Sequence, residues 1–117
     1  MESWQENLGH LRAVLFEEGG IWAGQILEYD IAAQAATPAA LQNELVRTVA
    51  THVAACIQLG RVPFLGVSQA PPRFWASYET GTAVEPAPTQ TYSLSSGGRL
   101  PPIRLQVRAA PSLANAA

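Results

Sequence analysis

Lysine is missing from this 117-residue chain; all seven of its basic side chains are arginines. A mechanism that needs a lysine nucleophile, base or Schiff base is therefore excluded. Cysteine occurs once, at Cys56. No internal disulfide can form, which fits a reducing compartment. Charge is scarce as well: acidic and basic residues make up 14% of the chain, and the net charge is −2. That balance argues against a broad nucleic-acid footprint, although a local basic patch is compatible with it. Residues 1–6 are acidic and polar, whereas a secretory signal needs a basic start and an apolar run. No uninterrupted apolar stretch approaches the roughly 20 residues that span a bilayer. These features predict a cytoplasmic protein with no membrane partner. Gly19-Gly20 and Gly97-Gly98 lack the spaced Gly, Lys and Ser/Thr of a phosphate-binding loop.

What is present reads as one small domain. Hydrophobic residues reach 48%, but many are alanines, so the core depends on fewer Leu, Ile, Val and aromatic side chains. A core this small on a single sheet predicts further burial against a second copy, hence a homo-oligomer. Three apolar runs, 11–16, 21–28 and 31–35, read as strands. Paired glycines after Glu17-Glu18 mark a hairpin turn between the first two. The second run has apolar residues on both faces, which suits a central strand.

A long helix is predicted over 38–59. Thr37 can cap it, Pro38 suits the first helical position, and Gly60 suits the residue past its end. Leu41, Leu45, Val49 and Val53 recur every four residues, with Val46, Cys56 and Ile57 widening the stripe, the pattern of a helix lying on a sheet. A shorter helix is expected at 72–79, where Phe74 and Tyr78 can meet on one face beside Trp75. The domain divides as 8–79 for the α+β body, 80–101 for a flexible loop rich in Pro, Gly and Ser, 102–108 for the sheet's last strand, and 109–117 for a disordered tail.

The candidate chemistry is thin. Glu17, Glu18, Glu28 and Asp30 could in principle hold metal ions, but they fall into two pairs at opposite strand ends and read better as a turn and solvated ends. No metal, cofactor or catalytic residue is assigned. His52 lies at the edge of the apolar stripe. It is either a base or partner contact, or, the preferred reading, a half-buried histidine bonded to nearby backbone. Cys56 reads as a small core residue. The aromatics Phe74, Trp75 and Tyr78 can serve a partner or dock their helix on its own core. Arg104 and Arg108 share a face of the last strand with Gln106. They can touch phosphates as a ribbon does, or decorate an exposed edge strand.

The sequence of a strand, the turn Glu17-Glu18-Gly19-Gly20, a strand opening Ile21-Trp22-Ala23, a short third strand, the helix start Thr37-Pro38-Ala39-Ala40-Leu41 and the ending Gly60-Arg61-Val62-Pro63 resembles the HicB-like antitoxin family. The resemblance covers about residues 10–65. It implies a partial ribonuclease-H-like β-β-β-α-β fold without nuclease activity. It further implies a protein that neutralises a small toxin ribonuclease by covering its active site, often with a C-terminal DNA-binding module. Leu27-Glu28-Tyr29-Asp30-Ile31 stands where the family usually has Pro-Asp-Leu-Pro-Gly. Residues 103–108 faintly resemble the start of a ribbon-helix-helix unit, but they are better assigned to the sheet.

The expectation is therefore an α+β protein. It has a small, mostly antiparallel sheet, one long helix packed on one face and a short second helix. Its expected role is non-catalytic: a HicB-like antitoxin or orphan relative that blocks a small basic toxin, with Trp22, Glu28, Tyr29 and Asp30 as contacts. The alternative is a DNA-binding regulator acting through Arg104 and Arg108.

Overall fold

In the computed structural model, which describes residues 4–88, 92–94 and 97–111, the chain forms a five-stranded mixed sheet with helices on both faces. A short helix α1 (Trp4–Asn7) and a 3-10 turn (Leu8–His10) precede β1 (Leu11–Glu18). The hairpin to β2 (Ile21–Ile26) is tighter than the sequence suggests. Glu17 and Glu18 are in β1, paired with Trp22 and Ile21, and the turn is Gly19-Gly20 alone. Both glycines have positive φ, 61° and 84°, which matches the twist of the flanking strands. β3 (Ile31–Ala35) pairs antiparallel with β2. It is followed by α2 (Pro38–Gln58), α3 (Pro72–Glu79), β4 (Thr82–Ala83) and β5 (Leu105–Ala109).

The strand order is β3-β2-β1-β5-β4. Three ladders are antiparallel, and β5 runs parallel to β1. A parallel neighbour requires a crossover, and the excursion through α2 and α3 supplies it. The expected α+β class, element order and mostly antiparallel pairing are therefore present.

α2 forms where its signals lie. The Thr37 hydroxyl accepts a hydrogen bond from the Ala40 amide at 3.1 Å, Pro38 opens the helix, and Gly60 beyond it has φ 68°. Leu41, Leu45, Val49 and Val53 are completely buried against Leu11, Leu15 and Ile26 of the sheet. Gly24 on β2 permits this close approach. A Cβ there would stand 3.0 Å from Leu15 Cδ2 and Leu45 Cδ1 and 3.1 Å from Leu41 Cδ2. The stripe is shorter than the sequence suggests: Ile57 is exposed and Cys56 only half-buried, because the helix outruns the sheet beneath it.

α3 packs on the opposite face. Phe74 and Tyr78 join Val14, Leu27 and Ala70 in a second core, with Phe16 and Trp75 at its rim. These aromatics dock their own helix. The sheet is thereby covered on both sides, and alternate residues of β1 serve different layers: Leu11, Ala13 and Leu15 face α2, while Val14 and Phe16 face α3.

Several described residues between 80 and 101 are paired or buried. Thr82 and Ala83 pair with Ala109 and Arg108, Ser93 bridges to Arg99, and Leu100 is buried. The final strand is shifted along the chain. It begins at Leu105, which pairs with Leu11, the first residue of β1. It includes Ala109, which the sequence assigns to the tail, and the Ala110 amide still donates to Leu15 O at 2.8 Å. The rest of the expected tail, from residue 112 on, lies outside the described residues. Among the described residues, no helix is long and apolar enough to cross a membrane.

Candidate functional site

The residues proposed from sequence as contacts are mostly built into the frame. Glu28 accepts hydrogen bonds from the Arg12 amide at 2.8 Å and from Arg12 Nε at 2.6 Å. The Arg12 guanidinium lies 4.6 Å from the Trp75 ring centroid, so acid, base and aromatic tie the end of β2 to β1 and α3. Asp30 is exposed; its Oδ1 accepts from Gln25 Nε2 at 2.9 Å and its amide donates to Ser68 O. Trp22 is half-buried beside the α2 core. Tyr29 is only 3% exposed and stacks face to face on Phe64 at 3.9 Å, its hydroxyl accepting from Asn7 Nδ2 at 2.9 Å. Tyr29 thus lies inside the fold, and a partner could touch it only if the stack opened.

The stacking partner Phe64 is a feature that the sequence reading missed. It adopts φ 65°, a left-handed conformation rare for a bulky side chain. Its amide donates to His52 Nε2 at 3.0 Å, and its ring lies 4.6 Å from the imidazole. The neutral tautomer with a bare Nε2 is the one that can accept this bond. Cys56 Sγ lies 3.6 Å from the same nitrogen. The preferred reading of His52, a half-buried histidine bonded to backbone, matches this arrangement. Tyr29, Phe64 and His52 together hold the segment after α2 in one shape. That segment turns Val62 (56% exposed) and Leu65 (80% exposed) outward, with Leu59 beside them in sequence at 66%. The sequence marked the end of the helix at Gly60-Arg61-Val62-Pro63, but not which side chain would plug the turn that follows.

The two C-terminal arginines part company. Arg108 donates to Tyr78 O at 3.0 Å and Glu79 O at 3.3 Å, and its guanidinium lies 4.5 Å from the Tyr78 ring centroid. It caps the carbonyl end of α3, where a cation is favoured. Arg104 is exposed and borders a cavity of about 510 Å³ between α2, residues 86–88 and residues 103–106. The head of Arg108 is tied to a helix end, while Arg104 borders this cleft. On α2, Glu44 bonds Arg47 at 2.7 Å and raises its pKa, by the hydrogen bond first and by charge second. Both residues are partly or fully exposed, so the pair adds little to stability.

Among the described residues, no group of three or more His, Cys, Asp or Glu side chains is placed to hold a metal ion. Glu17 and Glu18 end β1 at the hairpin, while Glu28 and Asp30 sit at the far end of β2. Comparisons with protein families, with curated proteins and with solved structures find no match to this chain.

Proposed function

We propose that this chain is a non-catalytic protein-interaction domain, a HicB-like antitoxin or orphan relative that neutralises a small basic ribonuclease by covering it. The observation that carries the reading is the segment after α2. There a left-handed Phe64, clamped by Tyr29 and His52, holds the exposed Val62 and Leu65 outward. Such a conformation costs on the order of 1–3 kcal/mol and persists only where the surroundings enforce it. A cost of that kind spent on displaying apolar side chains fits a docking surface better than a catalytic one. The order β-β-β-α followed by a strand beside β1 also agrees with what the resemblance implies. The β3 edge, Ile31–Ala35, is an outer strand and carries neither charge nor proline, the usual devices against edge pairing, which supports a homo-oligomer.

The test is to inspect the neighbouring reading frames for one that encodes a small basic protein and to co-express that protein with this chain, followed by gel filtration and a growth assay. The expected result is a single co-eluting complex and relief of the growth arrest that the small protein causes. Val62→Asp with Leu65→Asp should separate the two while leaving the melting temperature in place. Independent elution with undiminished growth arrest overturns the reading.

A further inference from the structure

After β4 the chain leaves the sheet for a readable reason. The Val84 amide still donates to Val107 O at 3.0 Å, but Pro86 and Pro88 have no N–H to continue the ladder. Gln42 of α2, only 3% exposed, takes over: its amide donates to Glu85 O at 3.2 Å and accepts from the Ala87 amide at 2.7 Å. The departing chain is thus held against α2 rather than against β5. The space left behind is the 510 Å³ cavity, within the usual size range for a ligand site.

One wall of this cleft is a strand edge that no described strand covers. The Arg104 amide donates to Leu8 O at 2.8 Å and Arg104 O accepts from the Leu11 amide at 3.2 Å, so both its backbone groups turn toward β1. Backbone groups alternate in direction along a strand, so the N–H and C=O of Leu105 turn the other way, into the cleft. β4 reaches only Ala109 and Arg108, and no described strand covers the edge at Leu105. Val46 and Ile103 supply apolar surface. Arg104 and His10 line the cleft and are exposed, and among the described residues no aspartate or glutamate lines it and no hydrogen bond or ion pair of the Arg104 guanidinium is found.

We propose that this cleft docks a short extended acidic segment of a partner protein, added as a strand to the edge of β5 beside Leu105, with one carboxylate on Arg104. The open edge accommodates about three residues at ~3.3 Å each. Edge hydrogen bonds supply affinity, and the arginine supplies selection for Asp or Glu over their amides. The surface is separate from the Leu65 loop and stands whether or not the partner there is a ribonuclease.

The probe is a blocked pentapeptide, Thr-Val-Glu-Val-Thr, titrated into the full chain labelled with ¹⁵N, with its Gln analogue and sodium acetate as comparisons. Saturable shifts at the amides of Gln42, Ala87 and Leu105 are expected. Replacing the peptide's Glu by Gln, or Arg104→Gln in the protein, should weaken binding at least tenfold, while Val62→Asp with Leu65→Asp leaves it unchanged. Equal binding of the Glu and Gln peptides, insensitivity to Arg104→Gln, absence of saturable shifts, or the same shifts and affinity from acetate alone each overturns the proposal.

Discussion

Gly24 is the residue on which the packing of α2 most visibly depends. Leu15, Leu41 and Leu45 all close on the space where its Cβ would be. Interiors are packed densely enough that added methyl groups must push something aside. Gly24→Val should therefore destabilise the fold by about 1–3 kcal/mol in urea unfolding, and a variant as stable as the parent would refute this account. The sequence marked the second run as apolar on both faces. It did not reveal that three leucines converge at Gly24, because their meeting depends on where α2 lands. His52 poses a related question of supply. It gives the Phe64 amide its acceptor in a half-buried bond. His52→Ala should cost about 1–3 kcal/mol, the usual penalty for stranding a buried partner. Helical circular dichroism should stay near the parent's, while capture of the co-expressed basic protein falls. Unchanged stability and capture would show that the left-handed Phe64 needs no support from the histidine.

At the scale of elements, local signals and observed structure agree where the signal repeats. α2 and α3 occupy the ranges that apolar spacing and prolines marked out, with α2 ending one residue early, at Gln58. The cap at Thr37 is one such local signal, and its contribution can be measured directly. Thr37→Ala should lower stability by about 1 kcal/mol, whereas Thr37→Ser should be nearly neutral. If both variants behaved alike, the hydrogen bond to Ala40 would be incidental. The elements that escaped the sequence are the short ones. β4 has two residues and α1 four, too few for any period to show. The strand β5 was legible through its alternation, but its bounds follow from where β1 begins. Its parallel pairing with β1 was not legible at all, since register between segments ninety residues apart leaves no local trace.

The whole molecule is a sheet with its centre doubly covered and its margins bare. β1 lies between β2 and β5, with α2 on one face and α3 on the other, whereas β3 and β4 are outer strands. Amide exchange should follow that gradient, slowest in β1 and β2 and fastest in β4 and in the outer-edge amides of β3. Slow exchange along β3 in dilute solution, lost on further dilution, would instead reveal pairing of that edge with another copy. The candidate docking surfaces arise at this scale too. Arg104 and Arg108 look equivalent in sequence, two strand positions of like parity, yet α3 captures Arg108 and leaves Arg104 at the mouth of a cleft. What the sequence determined by itself was the inventory of elements and the amphipathic stripe of α2, because hydrophobic period, caps and glycine turns act over a few neighbouring residues. Only the tertiary structure decided the strand order, the burial of Tyr29 under Phe64 and the gap between the 86–88 chain and β5. Each of those is set by contact between segments distant in the chain, where packing and hydrogen-bond supply decide among options that local patterns leave equal.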